Sequence, residues 1–197
     1  MPLTKVQAEG VNLADTFAFS GTVSGSGMDL LLNSTISSAV AQFDISSTYM
    51  NSTYDDYAVY ATLLPATDNV NLIMSVFESG SVLTGDKYSF ETSANSSSTY
   101  LQSNSVHRFG LNVTACGNAA GEGITTQLRI HNVNSTTHSF CYGGESQSFS
   151  NGAAPNTQEI GGSLLVSERN VVVNGLRISF ESGNIASGIV KVYGISK

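Results

Sequence analysis

The chain has 197 residues, of which 41% are hydrophobic and only 12% charged, and its net charge is −7. This length suits one large β domain, or a short arm and one domain of about 150 residues. The absence of any Lys/Arg cluster argues against a nucleic-acid-binding surface. No apolar run approaches the roughly 20 residues that cross a bilayer. The first ten residues lack the apolar core of a signal peptide, so we expect synthesis in a cytoplasm.

The N-terminal residues are predicted to form an arm. Two strand-like runs, residues 15–23 and 28–36, are joined by the flexible Ser/Gly segment 24–27. Two strands are too few to close a core, and their unpaired edges must pair with the main domain or with a neighbouring subunit. We therefore predict an arm over residues 1–38, which serves in attachment or subunit contact, and a β-sandwich domain over residues 39–197.

The rest of the chain is predicted to be a series of short strands without helical periodicity. Alternating runs separated by Gly, Asn, Asp and Ser occupy residues 39–45, 57–64, 71–77, 87–91, 109–113, 124–130, 139–142, 163–166 and 171–175, and a closing hairpin follows in residues 177–195. About ten short strands predict an all-β fold of two packed antiparallel sheets.

Two polar segments, residues 93–99 and 143–157, are predicted to be exposed loops. The second is long enough to suggest a binding or contact role. Aromatic rings on loops can stack on the apolar faces of sugars, although buried packing explains most such rings equally well. The candidate binding residues of this loop surface are Tyr100, Phe149, Asn151 and Asn156, and Tyr49 and Tyr54 are further aromatic candidates.

The two cysteines, Cys116 and Cys141, are predicted to be small buried hydrophobic residues with reduced thiols. A disulfide formed late, after release from the cell, is the alternative. His131 and His138 lie nearby in sequence, but their spacing matches no zinc pattern. We predict no metal site and no cofactor.

No convincing catalytic set is present in the sequence. Asp55 and Asp56 are consecutive, so in an extended strand their carboxylates point to opposite faces and do not flank one bond. The three histidines have no G-x-S-x-G nucleophile near them. The sequence therefore predicts a protein that is not an enzyme and has no catalytic residues.

Three separated landmarks resemble a known family. They are Y-D-D-Y at residues 54–57, P-A-T-D at residues 65–68, and F-E-S-G-N-I-A-S-G at residues 180–188, which is followed by Y-G-I at residues 193–195. Together they are similar to a jelly-roll domain of bacteriophage virion proteins of the tail-fibre, receptor-binding or head-decoration type, as in marine phages and cyanophages.

The resemblance implies a jelly-roll β-sandwich in the virion that assembles as a homo-oligomer, a trimer in the leading interpretation. It also implies that the N-terminal arm contacts other virion proteins. The implied role is a non-enzymatic fibre protein that presents a host-receptor-binding surface, with a host surface glycan as a candidate partner. A capsid decoration protein that stabilises the head is the alternative. A glycan depolymerase is a remote alternative, since the chain is short and offers no evident carboxylate pair.

Overall fold

The structure is a computed structural model that describes residues 27–94, 99–149 and 155–196, and of residues 99–106 the backbone only. This part of the chain forms thirteen strands and one short 3-10 turn, Val166–Glu168, but no α-helix. The strands are β1 (Met28–Ile36), β2 (Phe43–Ile45), β3 (Asp56–Pro65), β4 (Leu72–Glu78), β5 (Ser81–Val82), β6 (Tyr88–Ala94), β7 (Thr99–Val106), β8 (Phe109–Gly110), β9 (Gly123–His131), β10 (Cys141–Phe149), β11 (Asn156–Leu164), β12 (Val173–Phe180) and β13 (Ile185–Ile195).

Two antiparallel sheets make up the fold. The larger sheet has eight strands in the order β1-β13-β3-β9-β10-β11-β6-β7, and the smaller has the order β2-β12-β4-β5, with β8 also paired to β4. Both sheets contribute alternate residues to one continuous core, as in β3, where Val59, Ala61 and Leu63 are buried and Tyr60 and Thr62 point outward. The predicted all-β antiparallel sandwich is confirmed.

An aromatic cluster occupies the core between the sheets. Phe109 is completely buried, and its ring centroid lies 4.7 Å from that of Tyr88, 4.8 Å from that of Tyr142 and 6.0 Å from that of Phe140. Edge-to-face and offset contacts at these distances add to the hydrophobic stabilisation of the buried rings. This cluster joins β6, β8 and β10, strands that are distant in sequence.

Part of the inner surface of the larger sheet is polar, and its hydrogen bonds hold a neighbouring loop. Gln158 donates through Nε2 to Ser148 Oγ at 2.9 Å, and its Oε1 accepts from the backbone N–H of Val113. Ser148 Oγ in turn donates to the carbonyl of Thr114 at 3.0 Å. Buried polar groups are tolerated when they are paired in this way. The network fixes residues 113 and 114 over β10 and β11.

The described part of the predicted arm belongs to the sandwich. Strand β1 pairs along its length with β13, and Tyr54 Oη donates to Asp29 Oδ2 at 2.7 Å. Of the two pairings that the sequence left open, residues 28–36 therefore pair with the main domain. Residues 1–26 lie outside the described residues, and the domain boundary after residue 38 stays a prediction.

The prediction that residues 143–157 form a loop was wrong, because most of them belong to the antiparallel hairpin β10–β11. Glycines that resemble loop residues are instead required by close strand packing. A Cβ atom at Gly144 would lie 2.0 Å from the carbonyl oxygen of Gln127, and one at Gly162 would lie 2.6 Å from that of Ser89. Only glycine fits where backbones approach so closely.

The segment 93–99 was also misplaced as a loop between sheets. Ser93 and Ala94 end β6 and Thr99 begins β7, and these two strands pair within the larger sheet. Residues 95–98, which join them, lie outside the described residues.

We expect the protein to lose stability at alkaline pH because it buries phenols. Burial, with smaller contributions from Tyr54 and Asp55, raises the pKa of Tyr57 to about 12 from the usual 10.0, and burial also raises the pKa of Tyr88 and of Tyr142. The unfolded chain releases these protons near pH 10 while the folded chain keeps them. The stabilisation is therefore complete below pH 10 and is lost as the pH rises toward about 12. Urea unfolding at pH 8, 10 and 11 checks this, and a free energy of unfolding that stays constant over the series contradicts it.

Candidate functional site

The outward side of the eight-stranded sheet, here called the outer face, aligns polar and aromatic side chains from strands distant in sequence. The register places Lys191 opposite Tyr60, Tyr60 opposite Gln127, and Gln127 opposite Glu145. The same row continues to Glu159 on β11 and Ser93 on β6. Because directly opposed side chains lie about 5 Å apart, the row forms one connected surface.

Two adjoining depressions, here together called the cleft, run along this row. Each has a volume of about 550 Å³, and they share Tyr60, Gln127 and Glu145 in their walls. The first extends toward Thr125 and Lys191, and the second toward Arg129 and His131. A volume of this size is within the range of small-molecule sites.

Tyr60 forms the aromatic wall of the cleft. Its side chain is 41% exposed, although β3 is an interior strand of the sheet. Tyr193 on β13 contacts it with 5.8 Å between ring centroids and planes at 89°. This contact limits the rotation of the Tyr60 ring, so its exposed surface is held in place.

Gly143 lines the second depression of the cleft and Gly161 adjoins it, and the pair is here called the glycine floor. They lie opposite each other on β10 and β11. A Cβ atom would meet nothing closer than 3.9 Å at Gly143 and 3.5 Å at Gly161, and neither has a positive φ. Glycine weakens a strand interior. Packing explains Gly144 and Gly162, but it does not explain the glycine floor.

Carboxylates and amides form the polar rim of the cleft. Gln127 donates through Nε2 to Glu145 Oε2 at 3.1 Å. Glu145 also stands directly opposite Glu159, and both side chains are exposed. Like charges in opposed positions destabilise a sheet. Such oxygens accept hydrogen bonds from hydroxyl or amide groups of a ligand.

One end of the outer face combines a thiol, an imidazole and a carboxylate. Cys141 lies opposite His131, and His131 Nδ1 is 3.2 Å from Asp56 Oδ1. Burial, and to a lesser degree the charge of Asp56, raises the pKa of the Cys141 thiol. A cysteine nucleophile requires a lowered pKa, because the thiolate is the reactive form. The arrangement therefore does not provide an activated nucleophile.

Of the four predicted binding residues, the structure describes the side chains of Phe149 and Asn156. Asn156 is 8% exposed on the inward side of β11, so its predicted position on an exposed loop was wrong. Phe149 ends β10 and is partly exposed. Tyr100 occupies the register position opposite Ser93, at the end of the cleft row. Asn151 lies outside the described residues.

Of the further aromatic candidates, Tyr49 packs against the core, and Tyr54 is held between Asp29 and Gly194. The cysteines are both free of disulfides, with Cys116 completely buried and Cys141 only partly so. The Cys116 thiol donates to the carbonyl of Val70 at 3.3 Å. These positions are explained by packing.

Sequence reasoning missed the residues that define the cleft: Tyr60, Gln127, Glu145 and Glu159. One signal was available, since Tyr60 is a large aromatic residue at an outward position of an otherwise buried alternating strand. Gln127, Glu145 and Glu159 become neighbours of Tyr60 only through the register of the paired strands, which the sequence alone does not show.

Comparison with known proteins gives no further guidance. No family model, no curated protein and no solved structure matches the chain. Among the residues that the structure describes, no group of three or more His, Cys, Asp or Glu side chains is placed to hold a metal ion. The same part of the chain contains no helix of the length and apolarity needed to span a bilayer.

Proposed function

We propose that this protein is a non-enzymatic structural component of a bacteriophage particle, a fibre protein that presents a host-receptor-binding surface. The sequence landmarks support the family. Residues 54–57 lead into β3, and residues 65–68 run from the end of β3 into its connection with β4. Residues 180–188 span the end of β12, the turn and the start of β13. Each landmark therefore lies at a strand junction, as the resemblance implies.

The strand order supports a jelly roll as the underlying fold. When the hairpins β6–β7 and β10–β11 and the short β5 are set aside, eight strands remain. The first, eighth, third and sixth of these are neighbours in one sheet, and the second, seventh, fourth and fifth in the other. This is the interleaved order of a double Greek key that gives a jelly roll.

The observation that carries the proposed role is the pair of added hairpins. Both β6–β7 and β10–β11 extend the same sheet, so one face of the sandwich becomes eight strands wide while the other sheet stays small. The cleft lies on this widened face. A widened, polar face on a rigid sandwich is suited to recognition of a surface ligand.

The alternative role, capsid decoration, is favoured by a different part of the outer face. Exposed apolar side chains gather on its first three strands, where Leu30 is 54% exposed, Ile189 43% and Tyr60 41%. Apolar residues in a low-charge surface suit contacts with neighbouring subunits. The edge strand β1, where Met28 and Leu30 are exposed, is available for the proposed homotrimer and leaves the cleft open.

Imaging of intact particles distinguishes the two roles. The protein is labelled in virions with an antibody fragment raised against the purified chain. We expect the signal at the tail or at fibre tips. Signal spread over the head supports the decoration role and contradicts the fibre role, and particles without any signal contradict both.

We expect no cleavage of bacterial surface polysaccharide by the purified protein. Glu145 and Glu159 are the described carboxylates best placed for a glycosidase, since they oppose each other in the cleft. Polysaccharide is incubated with the wild-type chain and with an E145Q/E159Q variant, and its size distribution is measured. Shortened oligosaccharides with the wild-type chain alone would establish the depolymerase alternative.

A further inference from the structure

We propose that the cleft is a binding site for a neutral oligosaccharide, which lies across strands β3, β9, β10 and β11. This inference rests on the proposed function, because it names the ligand class of the receptor-binding surface. The proposed receptor-binding surface is therefore on the outer face and not on the loops.

The shape of the cleft fits an elongated ligand. Strands in a sheet are about 4.8 Å apart, so the row from Tyr60 to Glu159 spans about 14 Å. This length suits a short oligosaccharide better than a single sugar ring. The cleft is bounded by strand residues whose positions are fixed by the sheet hydrogen bonds on both sides, so the site is formed before the ligand arrives.

The chemistry of the walls fits the two kinds of surface that a sugar presents. The exposed ring of Tyr60, held by Tyr193, offers an apolar plane for the C–H face of a pyranose. Gln127, Glu145 and Glu159 offer amide and carboxylate oxygens that accept hydrogen bonds from hydroxyl groups. Stacking and hydroxyl recognition therefore occur along the same row.

The glycine floor supplies an independent observation that points to a ligand. Gly143 and Gly161 have room for a side chain, have no positive φ and lie side by side, with Gly143 lining the second depression. Any side chain at these positions would fill the space above the floor. Glycine in a strand marks a place where something approaches the backbone closely. In the described structure that space is open to solvent, as a ligand-binding surface requires.

The charge of the cleft selects against acidic saccharides. Glu145 is shared by the two depressions and stands opposite Glu159, which lines the second. The cations Lys191 and Arg129 each line only one of the depressions. A uronic or sialic acid that lies along the row would bring its carboxylate next to these two glutamates and be repelled. A neutral oligosaccharide brings no such charge.

The test uses the full purified chain on an array of bacterial-type oligosaccharides, neutral and acidic, followed by calorimetric titration with a neutral saccharide that binds. We expect Y60A to weaken binding about tenfold or more, and Y60F, which keeps the ring, to change it less than about threefold. G143T places a strand-favouring side chain in the second depression, and G161T places one directly beside it on β11; both should also weaken binding at least about tenfold. S179T, on the outer side of the smaller sheet, is the matched control and should bind like the wild type.

Thermal unfolding of every variant accompanies the titrations, and Y60A and G161T should unfold at the wild-type temperature. The proposal is overturned if no neutral saccharide binds, if acidic saccharides bind in preference, or if Y60A and both glycine variants bind like the wild type. Those results leave the fibre assignment from particle imaging untouched. Conversely, binding that is sensitive to Y60A and G161T upholds the cleft even if imaging places the protein on the head.

Discussion

Replacement of Phe109 by alanine should destabilise the protein by about 3–5 kcal/mol, the usual cost of removing a buried aromatic side chain. Phe109 is completely buried and contacts the rings of Tyr88, Phe140 and Tyr142. Its removal leaves a cavity where β6, β8 and β10 meet, and it also removes the ring contacts. Urea unfolding followed by tyrosine fluorescence and far-UV circular dichroism measures the effect.

The matched control for this prediction is Y60A, because Tyr60 is an aromatic residue of the same sandwich whose side chain is 41% exposed. Its loss should change the free energy of unfolding by less than about 1 kcal/mol. If F109A and Y60A destabilised the protein equally, the aromatic cluster would not be the centre of the core.

Replacement of Gly144 by alanine should also be severely destabilising, by about 3 kcal/mol or more, whereas alanine at the neighbouring Gly143 should be tolerated. The added Cβ at Gly144 would lie 2.0 Å from the carbonyl oxygen of Gln127 and 3.0 Å from the Cα of Leu128. These are backbone atoms of the paired strand, so β9 and β10 must separate. At Gly143 the nearest atom is 3.9 Å away.

Denaturant unfolding of G144A and G143A side by side measures the difference. G143A is expected to be neutral or to stabilise the chain slightly, since alanine has fewer unfolded conformations than glycine. Equal stability of the two variants would contradict the strand pairing between β9 and β10, and with it the geometry of the cleft.

The sequence identified those strands whose inward side is apolar. The alternation in β3 and β4 predicted residues 57–64 and 71–77, and the structure gives Asp56–Pro65 and Leu72–Glu78. The closing hairpin was also correct, including Gly183, whose φ of 74° suits the turn. In these segments the buried residues alternate with the exposed ones at the two-residue period of a strand. The local sequence pattern is therefore sufficient to predict them.

The hairpin β10–β11 was missed because its inward side chains are largely polar. Ser146, Ser148 and Gln158 are buried by the network that holds residues 113 and 114, so no hydrophobic alternation marks either strand. The glycines of this hairpin are typical of loops, so the segment was predicted to be one. The cleft was missed for a related reason, since Tyr60, Glu145 and Glu159 lie far apart in sequence and become neighbours only through register.

The most direct test of the account is an NMR titration of the isotope-labelled protein with the neutral oligosaccharide selected on the array. It reports which residues the ligand contacts and whether the ligand stays intact. We predict chemical-shift changes concentrated at Tyr60, Gln127, Gly143, Glu145 and Gly161, with the saccharide signals unchanged in number over time. Changes confined to residues 95–98 and 150–154 would contradict the account, because binding would then occur away from the cleft.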